Sequence, residues 1–308
     1  MRHKYKKKLF YTTLRFFWVN RERYPFSLNR MYKALGITKQ SFHQHHNRLL
    51  KRMELEAYLQ CIVAQVREDH PSMGCRDMYY LIQPESMGRD QFEQYCLEAG
   101  FLIARVKNYK RTTDSSGVKR FENLAQGLTL DAINQLWASD ITYFQIGHRF
   151  YYLTFIIDCY SRRIIGHSSS IRLLTSHTTI VALKSALRTR RNQNIEGVIL
   201  HSDGGGQYYA DAFLTMTKTN KIQNSMCVYP WENPYAERIN GVIKNNYLVH
   251  RSITNFNQLI REVDRAVNLY NHQKPHKGLN RLTPVHFENV SLGKANIKDC
   301  NKEYKLTQ

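Results

Sequence analysis

The chain has 308 residues, enough for two or three domains around at least one sizeable core, and 42% of them are hydrophobic, as in a globular protein. Its 45 Lys and Arg against 25 Asp and Glu leave a net charge of +20, which points to a polyanionic partner, nucleic acid before membrane. No membrane segment is expected: no apolar run approaches the roughly 20 residues of a spanning helix, and Arg15 interrupts the Leu9 to Val19 stretch that would otherwise pass for a signal peptide.

Residues 1–66 read as a basic N-terminal helical region. The first 50 hold twelve Lys and Arg and a single acid, Glu22, an imbalance that favours contact with DNA phosphates. Met31 to Leu35 reads as a helix, Gly36-Ile37 as a turn, and Thr38 as the N-cap of a second helix through His43 towards Leu50. This is a helix-turn-helix pattern, although an ordinary helical hairpin would give the same signal. Lys39 and Arg48 on the second helix are candidate DNA contacts. His43, His45 and His46 have no cysteines at zinc-site spacing and are expected to face solvent or phosphate. Six cysteines, Cys61, Cys75, Cys96, Cys159, Cys227 and Cys300, make no Cys-x-x-Cys pair and read as reduced thiols of a cytosolic protein.

A second helix-turn-helix-like unit is predicted over 67–110, with helices from Gly74 to Ile82 and Arg89 to Ala99, a break at Pro84 to Gly88 and a closing Gly100. Val106 to Arg111 forms a basic arm in which Lys107 and Lys110 are further DNA candidates. It leads into a linker, 111–130, with a polar stretch at Thr112 to Gly117.

From Leu136 the pattern changes from helices to strands. Antiparallel strands are predicted near 137–145, 150–158 and 163–170, turned at Gly147 and at Tyr160-Ser161-Arg162. A helix from Thr175 to about Arg190 follows, then a buried strand, Gly197 to Leu200, ending at Asp203. Next come a helix near 210–219, a strand near 222–226 and a helix from Ala236 to Leu248. The stripe Phe256, Leu259, Ile260, Val263, Val267 and Tyr270 is assigned to packing, and 291–308 to a tail. This order is that of an RNase H-like α/β core, a mixed five-stranded sheet with flanking helices over 131–290. It places Asp140 and Asp203 on neighbouring strands, with the Glu237 helix across their ends.

Each of these acids has a bland reading. Asp140 alone reads equally as a capped-turn or salt-bridged strand residue, and Glu237, Asn240 and Lys244 as the polar face of an exposed helix. Together they mean more. Asp203 is followed by Gly204, Gly205 and Gly206, which leave room for another backbone or an anionic ligand. Three clustered carboxylates repel one another unless cations join them. Two hard divalent ions, Mg²⁺ or Mn²⁺, would neutralise them and support an in-line phosphoryl displacement.

The motifs WASDITYF, IIDCYSRRIIG at 156–166, HSDGGGQYY at 201–209, ENPYAERINGVIK at 232–244 and LYNHQKPHKGL at 269–279 occur in one order. In these the chain resembles the DDE transposases of the insertion-sequence-three group, larger bacterial relatives of retroviral integrases, over about residues 67–288. The resemblance implies cleavage at the ends of a mobile element and strand transfer into a target. It implies Asp140, Asp203 and Glu237 as the metal-binding acids and Lys244 as a contact to the element's terminal DNA. Asn240 and Gln207 border the site as candidate DNA contacts, with a hydrogen-bonding structural role as the alternative. Asp158 is read as structural, and His201 and Asn233 as either DNA-positioning or structural. The implied partners are double-stranded DNA, further copies of the chain in at least a dimer, and an upstream-frame DNA-binding segment as partner or fusion. The implied place is the bacterial cytoplasm, at the nucleoid.

One departure bears on activity. Between Asp203 and Glu237 lie 33 residues, two fewer than is usual in the family, and the loss falls near Val228 to Trp231. A shortened loop with the site intact is predicted; a shift of helix register would instead leave a catalytically inactive DNA-binding remnant.

Overall fold

The structure, a computed structural model, describes residues 2–24, 26–103, 121–227 and 229–294. The chain divides into two compact units, Met1–Ala64 and Gln65–Gln308. Among the described residues no helix is long and apolar enough to cross a membrane.

In the first unit α1 (Arg2–Val19), α2 (Leu28–Leu35) and the beginning of α3 (Lys39–Asp69) close over a small core of Leu14, Tyr32 and Phe42. The Ser27 hydroxyl oxygen accepts the Arg30 N–H, so α2 begins ahead of the predicted Met31, and it stops at Gly36, where φ is +64°. Thr38 caps α3 as expected, accepting the Ser41 N–H at 3.1 Å. Yet α3 does not stop near Leu50. It runs to Asp69 because no Gly or Pro interrupts it before Pro71, and the expected border at residue 66 falls inside a continuous helix. His46 is buried rather than turned to solvent or phosphate, its ring 4.6 Å from that of Trp18, and His45 stacks on Tyr11 at 4.0 Å. Aromatic neighbours on α1 give these rings more than solvent would.

In the second unit α4 (Cys75–Ile82) and α5 (Arg89–Glu98) form the predicted helix pair. The Arg67 guanidinium holds the surrounding turns, donating to the carbonyls of Pro71, Met73 and Phe101 at 3.1, 2.5 and 2.8 Å. The basic arm with Lys107 and Lys110, and Thr112 to Gly117, lie outside the described residues. The end of the predicted linker is packed: Ala125 and Leu130 lie on the core, and the Leu124 N–H reaches Ser225 Oγ at 2.9 Å.

The strands are β1 (Leu136–Ile146), β2 (Arg149–Asp158), β3 (Ile164–Ser170), β4 (Ile199–Ser202) and β5 (Gln223–Met226), ordered β3-β2-β1-β4-β5. β1, β2 and β3 are antiparallel, and β4 and β5 join β1 in parallel. This is the mixed sheet predicted. Between β3 and β4 lies α6 (Thr179–Thr189), and between β4 and β5 lies α7 (Asp211–Thr219). They cover one face around Trp137, Leu183 and Phe213, while α8 (Pro234–Asn246) and α9 (Phe256–His272) cover the other around Phe155, Ile243 and Val263. α6 begins four residues after the predicted Thr175, because the buried Thr178 turns its hydroxyl back to the Leu174 carbonyl at 2.7 Å. A last helix, α10 (Pro284–Ser291), was not predicted; Thr283 caps it and Pro284 opens it.

Asp158 is structural, as expected. Its carboxylate accepts the N–H groups of Asn134, Tyr160 and Ser161 at 2.8, 3.1 and 3.0 Å and pairs with Arg190 at 3.3 Å. Arg190 also pairs with Glu288 on α10 at 2.5 Å, and Arg163 joins Glu288 at 2.6 Å. Asp158, Arg190 and Glu288 are all buried, so this network locks the β2–β3 turn, the end of α6 and α10 together. The five described cysteines are free thiols, and Cys300 lies outside the described residues.

Candidate active site

The parallel pairing of β1 and β4 sets Ala138 beside His201. Asp140 and Asp203 then lie two residues further along neighbouring chains, at one level. Asp203 Oδ1 accepts the Gly205 N–H at 3.1 Å. The room left by the glycines is already taken: a Cβ on Gly204 would meet Met226 Cε at 2.7 Å, and one on Gly205 would meet Asp203 Oδ1 at 3.0 Å. Here glycine lets the chain fold tightly about its own carboxylate.

α8 brings the third acid. Three side chains lay this helix along β1: Asn233 Nδ2 donates to the Ser139 carbonyl at 3.0 Å, Asn240 Nδ2 to Asp140 Oδ2 at 2.8 Å and Lys244 Nζ to Thr142 Oγ1 at 2.8 Å. Four residues of helix rise about 6 Å and two residues of strand advance about 6.6 Å. The step from Asn240 to Lys244 therefore matches the step from Asp140 to Thr142. This docking leaves Glu237 exposed in the first turn of α8.

Asp140 is strongly perturbed. Burial raises its pKa first, then the negative charges of Asp203 and Glu237, and the result is a carboxyl pushed up to about 7 despite donors from Ile141 N–H and Asn240. Burial also raises Asp203. Among the described residues no three Asp, Glu, His or Cys side chains are gathered closely enough to hold a metal ion together.

The expected DNA contacts fare differently. Asn240 is buried against Asp140 rather than facing outward. Lys244 folds over β1, its ammonium 5.2 Å from the Tyr143 ring, and burial lowers its pKa while Asp140 opposes that. Gln207 sits in the short 3₁₀ turn Gly206–Tyr208, its carbonyl accepting the Thr179 hydroxyl at 3.0 Å. Lys39 and Arg48 are exposed on α3. His201 is buried: burial lowers its pKa, and it spans Ser225 Oγ at 2.9 Å and the Glu232 carbonyl at 3.2 Å. A neutral ring donates from Nε2 to that carbonyl and accepts at Nδ1, which ties β4 to the loop before α8.

One feature was missed. Tyr229 and Trp231 stack at 4.4 Å on that loop, on either side of Pro230, a pairing that no sequence signal singled out.

Residues 131–229 and 220–284 match the integrase core domain family. The insertion element IS600 31 kDa protein of Shigella sonnei is 26% identical over 83% of this chain and 97% of that protein. Transposase InsF for insertion sequence IS3A of Escherichia coli is 34% identical over 57% of this chain and 62% of that protein. The chain belongs to the DDE transposases of the integrase superfamily. Among solved structures, the catalytic core domain of HTLV-2 integrase in complex with magnesium is 20% identical, with a TM-score of 0.41 over 51% of this chain and 97% of that one. In the transposase the two integrase-core matches run from before β1 to the start of α10, the segment that carries all three acids.

Proposed function

We propose that this transposase binds the ends of an insertion sequence and catalyses metal-dependent strand cleavage and strand transfer, in which water and then a DNA 3′-hydroxyl attack phosphodiesters. Asp140, Asp203 and Glu237 are the acids that would hold two divalent cations, Mg²⁺ or Mn²⁺. The observation that carries this reading is Asp140, a carboxyl pushed up to about 7 by burial, Asp203 and Glu237 while it lies level with Asp203, each two residues past the paired Ala138 and His201. Hard oxygen donors fit such ions. Ile141 N–H and Asn240 each engage one lone pair of an Asp140 oxygen, at 2.8 Å in both cases, which orients the group and leaves lone pairs free. Bound divalent ions would supply positive charge and polarise the phosphodiester.

The chain's own residues do the rest. Gly205 holds Asp203, Asn233 and Asn240 hold α8 on β1, and Lys244 keeps a cation beside the site for phosphate. Lys39 and Arg48, with Gln207 at the site, are the proposed contacts to DNA, together with Lys107 and Lys110. The working form is an oligomer, at least a dimer, that pairs two element ends, with or without an upstream-frame DNA-binding partner, in the bacterial cytoplasm at the nucleoid.

Substitution Asp203→Asn tests the reading. Cleavage and joining of labelled element ends are expected to vanish, while gel-shift affinity for those ends changes less than about three-fold; joining that survives refutes the assignment.

A further inference from the structure

The loop that enters α8 carries an aromatic surface that no step above uses. The rings of Tyr229 and Trp231 lie 4.4 Å apart and within 5° of parallel, yet 52% and 66% of these residues is exposed. Large rings left in water usually mark a contact. This pair is also held in place. The Tyr229 N–H donates to Glu232 Oε2 at 2.9 Å, the Glu232 N–H to the Tyr229 carbonyl at 3.0 Å, and His201 Nε2 to the Glu232 carbonyl at 3.2 Å.

Beside it opens a cleft of ≈520 Å³, walled by Trp231, Asn233, Tyr235, Arg162, Ala138 and His201. Its position follows from the register. Ala138 and His201 each precede an acid by two residues, about 7 Å along the strands, and Asn233 precedes Glu237 by one helical turn, about 6 Å. The cleft therefore opens about two strand residues, or one helical turn, away from the acids. In its wall, the central guanidinium carbon of Arg162 lies over the Tyr235 ring, 4.1 Å from its centroid. Stacked rings and a nearby planar cation are what an unpaired nucleobase takes: a π-face to lie on and a positive charge beside it.

We propose that the Tyr229–Trp231 stack is a platform for one nucleobase of the element end, unpaired and drawn out of the duplex beside the phosphodiester at the acids, with the cleft as its room. This rests on the transposase reading for the identity of the DNA. The occupant is a base, rather than another copy of the chain, because the surface lies on the loop that leads into the Glu237 helix and the chain's +20 charge favours a polyanion. Trp231 acts by positioning the strand.

The test is a thermodynamic cycle on binding, so that it does not depend on chemistry. Duplexes carrying the element ends, intact or with an abasic nucleotide at each position near the cleavage site in turn, are titrated with the full chain and its Trp231→Ala and Trp231→Phe variants. Trp231→Ala is expected to weaken binding to the intact end by about ten-fold to a hundred-fold, the loss of one stacked base. Trp231→Phe keeps most of the affinity. At a single abasic position the wild type and Trp231→Ala bind equally. The proposal is overturned if Trp231→Ala binds intact ends like the wild type, or if its deficit persists at every abasic position, as a protein–protein or purely structural role would give. If the wild type binds but never joins ends in Mg²⁺, the transposase reading fails while the cycle still decides the platform.

Discussion

His70 shows how a buried side chain ties this fold to pH. Its ring spans the Tyr247 hydroxyl at 3.1 Å and Gln273 Oε1 at 3.2 Å, and burial lowers its pKa to about 4. The unfolded chain, near 6.5, binds a proton that the folded ring refuses, so the stability it confers is present above about pH 6.5 and lost as pH falls towards 4. Asp140 works in the opposite sense. Its raised pKa makes the cation-free protein less stable as pH rises from about 4 through 7. A comparison of wild type with His70→Gln isolates the histidine. In urea unfolding the wild type's advantage at pH 7 should shrink by about 2 to 3 kcal/mol at pH 4.5; a constant difference would show that the ring is not held neutral. At this scale the placement of Asp140 and Asp203 at one level was legible, because a carboxylate inside a strand or beside a glycine run needs a reason. Arg190 and Glu288 were not. A lone arginine at a helix end reads as solvated, and only the fold brings it to a partner 98 positions away.

The elements were legible where composition is one-sided. β-Branched and aromatic runs gave β1 to β3 within a residue or two, and the apolar stripe gave α9. Helix starts were less legible, since Ser27 and Thr178 set them through side-chain bonds that no periodicity encodes. What holds the elements together includes the buried Asp158–Arg190–Glu288 network, which costs desolvation and stays favourable only while every member is paired. Arg190→Met should destabilise the second unit by about 3–5 kcal/mol, as two carboxylates lose their cation, and Arg190→Met with Glu288→Leu should recover part of that loss. Denaturant melts of the two variants check it; a single variant within 1 kcal/mol of wild type would mean that the network contributes little.

For the whole molecule, charge and order carried the reading. An excess of basic residues pointed to nucleic acid, and the succession of strands and helices pointed to the sheet that brings distant acids to one level. The long α3 and the folded-back Lys244 were not legible, since one reflects the absence of a breaker over 31 residues and the other a tertiary contact with Thr142. The proposed function is that Asp140 on β1, Asp203 just after β4 and Glu237 on α8 make this chain a metal-dependent DNA strand transferase. It is tested most directly by incubating the purified protein and its Glu237→Gln variant with labelled element ends and target DNA, in Mg²⁺ or in EDTA, and measuring joined products. Joining by the wild type is expected in Mg²⁺ alone, reduced by at least about a thousand-fold in Glu237→Gln. Joining by Glu237→Gln at a rate near that of the wild type would contradict it.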